Sequence, residues 1–480
     1  MEAFVNDVRY SFRFLRQNRA LTSAAIAALT LGIGANTAVF SIVNAVLLRP
    51  LSAPEPERMV SFVLTFPQGS APGGAAQHFF FWRKETHDFQ DVSAHRLELV
   101  NLTGGPDPEQ IPAGRVSADF FHLFGAAVIH GRTFTPDEDR PRAGHFAVLS
   151  YGLWARRFGK DPEIVGKTIS INSSPHVVTG ILGARFDSEQ FGQAPELWIP
   201  FQMDPESTEG GCYCHVTGRL RPGITLAGAK AHLEVAAEEF RRAFPKRLGP
   251  RMGFGIQPLQ ESMAGDVRST LMILVVAVVF VLLIACANVA SLMLASSASR
   301  GREIAIRAAI GAGRLRIVRQ LLVESALLSL AGGVLGLLLG LAGIRLILAL
   351  YPNYPLLVPV NTINLPRIGE HGSAIGADWR VLAFTVGVSV LTTLLFGLIP
   401  ALQASGIDLS RALKEGSGRS GSGFRQNKTR ALLVVGEIAL ALILVVGGAL
   451  LIRTLIALRS VNPGFDAHQV LVMQTSLAGE

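Results

Sequence analysis

Residues 271–350 decide the fold, and they read as LMILVVAVVFVLLIACANVASLMLASSAS (271–299), RGREIAIRAAIGAGRLRIVRQ (300–320) and LLVESALLSLAGGVLGLLLGLAGIRLILAL (321–350). Each apolar flank is long enough to cross a bilayer, because about 20 apolar residues at 1.5 Å rise span a hydrocarbon core of about 30 Å. The segment between them sets Arg300, Arg302, Arg307, Arg314, Arg316 and Arg319 against one acid, Glu303. A short arginine-rich loop between spans stays in the cytoplasm, so the stretch is a helical hairpin with a basic inner tip.

Composition agrees with a membrane-embedded chain. Hydrophobic residues make up 49% of the 480, charged residues 17%, and the net charge is +8. The basic excess gathers beside apolar segments, which is a topology signal rather than a sign of nucleic acid. Three cysteines give no disulfide framework, and Cys286 sits inside an apolar span as a small hydrophobe.

Working outward, residues 1–20 carry Arg9, Arg13, Arg16 and Arg19 with Val5, Val8, Phe12 and Leu15 at helical spacing. That pattern predicts an amphipathic helix on the inner membrane face. The apolar run 21–48 is too long for a cleaved signal peptide and is expected to be the first span, N-terminus inside. Residues 49–268 contain no spanning segment and are expected outside the cytoplasm as one mixed α/β domain. Strands are expected over 59–65 and 169–182, with a turn at 172–175, and helices over 77–89 and 226–244. Trp82, Phe79, Phe80, Phe89, Phe120, Phe121 and Phe124 read as core.

The chemistry of this outer region is thin. Gly166-Lys167-Thr168 resembles the end of a phosphate loop, but Asp161 stands where that motif needs glycine. Cys212, Cys214 and His215 lack a second ligand pair for zinc, and a Cys212–Cys214 disulfide would close a strained ring. Asp137, Glu138 and Asp139 read as a solvated turn or helix start rather than a calcium site. Neither Ser150 nor Ser173 sits in a nucleophile elbow. No catalytic residue, metal site or cofactor site is assigned.

Four more spans complete the reading: 271–295, 321–350 and 381–402 after the outer domain, then 431–452, making five in all. Gly332, Gly336 and Gly340 form a small-residue stripe on the third span, suited to close helix packing. Glu324 and Arg345 lie near its two ends, where both are expected to snorkel to the interfaces. The linker 404–430 is basic and includes GSGRSGSG (416–423), a flexible composition. Residues 453–480 are expected outside. A weak internal repeat joins RQNRAL (16–21) to RQNKTRAL (425–432), each leading into an apolar helix and an arginine–proline exit. The pattern is one full half followed by the start of a second.

Several segments together resemble a MacB-type, FtsX-like ABC transporter permease. They are LIACANVASLMLASSASRGREIAIRAAIGAGRLRIVRQLLVESALL (283–328), IPALQASGIDLSRALKEG (399–416), GRTFTPDED (131–139), VLSYGLWARRFGKDPEIVGKTISIN (148–172) and GRLRPGITLAGAKAHL (218–233). The N-terminus resembles the duplicated orphan branch, in which two such halves are fused. A duplicated member would continue through a second outer domain, so the expectation is a truncated second half, with 453–480 as the start of its outer domain.

The resemblance implies a multi-pass inner-membrane subunit that binds no ATP itself. ATP would sit on a separate cytoplasmic ABC ATPase, and the permease would form a homodimer or pair with another permease half. Movement would pass through the bilayer to the outer domain for export, a process called mechanotransmission. The ATPase-coupling loop carries over onto Arg300, Arg302, Glu303, Arg307, Gly311, Arg314, Arg316 and Arg319. Two other outcomes stay open: a regulator of cell-envelope hydrolases, or an inactive half-permease.

Overall fold

The computed structural model describes residues 2–104, 108–191, 194–207, 212–299, 314–350, 378–405 and 423–460. They fall into a helical unit and a sheet-based unit. The chain opens with α1 (Glu2–Gln17) and α2 (Arg19–Val43), the latter prolonged by a π-helical turn over Asn44–Leu48. Asp7, Ser11 and Leu15 are the buried stripe of α1; Leu15, expected on the membrane-facing apolar side together with Phe12, packs inward, whereas Phe12 is 63% exposed.

The sheet unit follows with β1 (Met59–Phe66), β2 (Gly69–Pro72), α3 (Ala76–Glu85), β3 (Phe89–Thr103) and β4 (Glu109–Val116). Next come α4 (Phe120–Leu123), β5 (Val128–Gly131), β6 (Phe146–Leu149), α5 (Tyr151–Arg157), β7 (Thr168–Ile171), β8 (Ser174–Leu182) and β9 (Leu197–Pro200). β10 (His215–Leu220), α6 (Leu226–Ala243) and β11 (Gly253–Pro258) complete it. The strands form one eleven-stranded sheet in the order β11-β1-β10-β3-β4-β9-β6-β8-β5, with β2 beside β1 and β7 between β3 and β8. Pairing is antiparallel except at β4·β9 and β6·β8.

Local chemistry explains these elements. α6 starts where Thr225 Oγ1 accepts from the Gly228 N–H, and it buries Ala229, Leu233, Ala236, Ala237 and Phe240 at helical spacing. Its partners include Phe62, Phe79, Trp82 and Phe254, which form the first core. The expected hairpin is present, but its turn is only Asn172-Ser173, both at positive φ, and Pro175 already belongs to β8. Asn172 Oδ1 accepts from the Asn101 N–H and so pins this turn to β3. The helix expected to reach residue 89 stops at Glu85, because Phe89 opens β3 and packs its ring 4.7 Å from Phe62. The fifteen-residue β3 supplies Phe89, Val92 and Ala94 to the first core and Val100 and Leu102 to a second.

Among the described residues, four long apolar helices follow the sheet unit. They are α7 (Leu259–Ser299), α8 (Arg314–Leu350), α9 (Trp379–Ser405) and α10 (Gly423–Arg459). Among the described residues, Arg19–Leu48, Val267–Ser296, Val318–Leu346 and Ala431–Leu458 are long and apolar enough to cross a membrane. α9 carries the shorter apolar stretch Trp379–Leu395. α10 takes in residues 423–430 of the expected linker and extends past Arg453. The basic tip 300–313, the loop 351–377, residues 406–422 and the tail 461–480 lie outside the described residues.

Candidate functional site

The helical unit is assembled around α8. Its glycine stripe lies against α2 so closely that side chains have no room. A Cβ on Gly332 would stand 2.6 Å from the Leu29 Cβ, and one on Gly340 would stand 2.8 Å from the Gly34 carbonyl oxygen. A Cβ on Gly336 would meet the Gly34 nitrogen at 3.0 Å. On another side of α8, Gly333 faces the Ser389 hydroxyl of α9, where a Cβ would come within 2.5 Å. Close backbone approach of this kind supplies the dispersion contact that drives helix association where water is absent.

Polar groups are interleaved with that packing. Asn36 Nδ2 donates to the Val278 carbonyl of α7 at 2.7 Å and to its own helix at Gly32. The Thr37 and Thr385 hydroxyls meet at 3.2 Å, and Ser329 meets Thr392 at 3.1 Å. Asn44 Nδ2 donates to Asp378 at 2.8 Å. Phe40 and Phe384 stack with centroids 3.9 Å apart. Each of these side chains makes at least one hydrogen bond where an unmet polar group would be costly, although the buried Asn44 Oδ1 accepts none.

The first turns of α8 hold the described part of the basic region. Arg316 is exposed. Arg319 instead reaches back to α1, where its Nη2 stands 2.6 Å and its Nε 2.8 Å from Asp7 Oδ2. The Arg314 backbone opens α8, and Arg300, Arg302, Glu303, Arg307 and Gly311 lie outside the described residues. Five residues after Arg319, Glu324 is fully buried, with Gln320 Nε2 at 3.5 Å from its Oε1. This corrects the expectation that Glu324 snorkels to an interface: helix neighbours cover it. Arg345, at the other end, is exposed.

Asp7 was missed in the sequence. Its signal was the i, i+4, i+8 set Asp7, Ser11 and Leu15, but reading only apolar residues put Leu15 with Phe12 on the membrane side. Arg319 makes the difference, because a carboxylate facing it is stabilised by a charge-assisted bond.

In the sheet unit the candidate ligands have structural uses. Lys167 pairs with Asp161 and Glu163, and Gly166 takes φ +87° at the turn before β7. Glu138 accepts both Arg132 nitrogens at 2.7 Å, and this bond holds its carboxyl below the usual range. Asp139 accepts from the Ala118 and Gln202 N–H groups, while Asp137 pairs with Arg140. Cys212 and Cys214 are free thiols. Cys214 donates to the Gly74 carbonyl, and burial pushes its thiol up to about 12.

The same chain carries two known domains in sequence. Residues 22–236 match the MacB-like periplasmic core domain, and residues 275–409 match the FtsX-like permease C-terminal domain. The macrolide export ATP-binding/permease protein MacB of Escherichia coli (strain K12) is 28% identical over 306 residues, 63% of this chain and 43% of that protein. Its namesake in Burkholderia thailandensis is 27% identical over 303 residues, 62% of this chain and 42% of that protein. The chain therefore spans less than half the length of these curated relatives. Among solved structures, the periplasmic region of MacB from Actinobacillus actinomycetemcomitans aligns with a TM-score of 0.32 and 13% identity, over 44% of this chain and 92% of that one. With an outer core domain followed by permease helices, matched in that order, the chain belongs to the MacB/FtsX-type family of ABC transporter permeases.

Proposed function

We propose that this chain is the membrane subunit that couples ATP hydrolysis on a separate cytoplasmic ATPase to movement of its extracytoplasmic domain during export. The single observation behind this reading is the pairing of a MacB-like core domain with FtsX-like permease helices in one chain. In this reading the N-terminus and the basic tip at 300–319 are cytoplasmic, and ATP binds the partner. The permease works as a homodimer or beside another permease half. The closely seated α2–α8 pair supports it, since helices whose backbones touch carry displacement rather than absorbing it. The curated relatives are named for macrolide export, so macrolide efflux is the first transport to assay. Those names do not favour a regulator of envelope hydrolases.

The test is co-purification and stimulation of a cognate ATPase. Reversing charge at Arg302, Arg307 and Arg314 is expected to abolish both while leaving membrane insertion intact. An ATPase that binds and is stimulated equally by the reversed variant would refute the coupling role.

A further inference from the structure

The outward face of α1 is not used by the packing described above. Arg9, Phe12, Arg13 and Arg16 are all exposed on it, opposite Asp7, Ser11 and Leu15. Asp7, the nearby acid, is taken up by Arg319. The pair also fixes the rotation of α1 about its axis, so the arginines cannot turn inward.

The corner after α1 is fixed as well. The Asn18 N–H and its Nδ2 both donate to the Phe14 carbonyl, at 3.1 and 3.2 Å, and Thr22 Oγ1 donates to the Leu15 carbonyl at 2.8 Å. α2 begins at the very next residue, Arg19, which is also the first residue of the span Arg19–Leu48. α1 is thus held at the level where a spanning helix meets the headgroups.

We propose that this face of α1 binds the phosphate groups of anionic phospholipids, with Phe12 inserted at the boundary of headgroup and acyl chain. Charge complementarity selects the occupant. Guanidinium forks match phosphate oxygens, and an exposed phenyl ring flanked by three of them suits an interface better than water. Each basic side chain near an anionic surface contributes enough attraction for roughly a five-fold preference. The proposal needs only the spanning helix α2 and does not depend on ATPase coupling.

The experiment uses the full chain in nanodiscs, with a bimane fluorophore on Phe12→Cys in a Cys212→Ser background. Phosphatidylcholine and phosphatidylglycerol are mixed, and one or the other carries brominated acyl chains. Quenching is expected to be stronger from brominated phosphatidylglycerol at equal mole fraction. That excess is expected to shrink with added salt and to fall by roughly five-fold for each arginine replaced in an Arg9→Gln, Arg13→Gln, Arg16→Gln series. Equal quenching by the two lipids would overturn the proposal. So would competition by free inorganic phosphate, which would assign a soluble anion, or a probe shielded only when a protein partner is bound. If the triple variant does not fold, the lipid preference and salt dependence of the unsubstituted face still decide the matter.

Discussion

Arg319 on α8 places both Nε and Nη2 on one carboxylate oxygen of Asp7 on α1, at 2.8 and 2.6 Å. The two partners differ in exposure: the Arg319 side chain is 45% exposed and that of Asp7 12%. Removing either one therefore has unequal consequences. Arg319→Leu leaves a buried carboxylate without its cation, whereas Asp7→Asn leaves an arginine that water can solvate. Arg319→Leu is expected to destabilise the helical unit more than Asp7→Asn, with a coupling of roughly 1 kcal/mol after discounting for the exposed partner. A double-mutant cycle of thermal unfolding in detergent checks this; equal losses would contradict the asymmetry.

The α2–α8 contact makes a steric prediction. Gly340→Ala brings a methyl group to 2.8 Å from a backbone carbonyl, while Gly343 has nothing within 4 Å of the same position. Gly340→Ala is expected to lower stability by about 1–3 kcal/mol. Gly343→Ala is expected to be neutral or slightly stabilising, since alanine is the better helix former. Parallel melting curves would reveal a wrong packing assignment if the two variants behave alike.

Two buried histidines give the sheet unit an acid limit. Burial, with Arg247 nearby, lowers His78 to about 4, and its Nδ1 accepts from the Ala75 N–H, so the ring is held neutral. Burial and the stacked His215 lower His95 to about 3. Both folded values lie below the ordinary 6.5. The unfolded chain therefore binds more protons as pH falls. Stability is full above 6.5 and is lost downward through the folded values, at up to about 1.4 kcal/mol per pH unit for each histidine. His95→Phe is expected to flatten this slope in tryptophan-monitored unfolding between pH 7 and about 4. An unchanged slope would mean that His95 does not titrate on unfolding.

The free thiols report topology. Cys212 is exposed, while Cys214 and Cys286 are buried. An impermeant maleimide applied to cells with a breached outer barrier is expected to label the protein through Cys212. Labelling is expected to vanish in Cys212→Ser and persist in Cys214→Ser. Protection of Cys212 from the outside would reverse the proposed orientation.

Much of this structure was legible because apolar runs and turns act locally. The spans at Arg19–Leu48 and Val318–Leu346 announce themselves by length, and Asn172-Ser173 announces a hairpin. The end of α3 was misplaced because Phe89 answers to Phe62, which lies on a strand well before it in sequence. Sheet order was out of reach for the same reason: the parallel pairing of β4 with β9 joins Ala113 to Leu197 across long intervening chain. The glycine stripe could be seen, but its seat on Leu29 and Gly34 could not. Nor could the burial of Glu324, since charge alone argues for an interface.

β3 has a mechanical consequence. One continuous strand supplies side chains to two separate cores, from Phe89 at one end to Leu102 toward the other. Neither core can loosen without releasing part of the beam that supports its neighbour. The outer domain is therefore expected to yield as a whole, so a load applied at one end is met by both cores together.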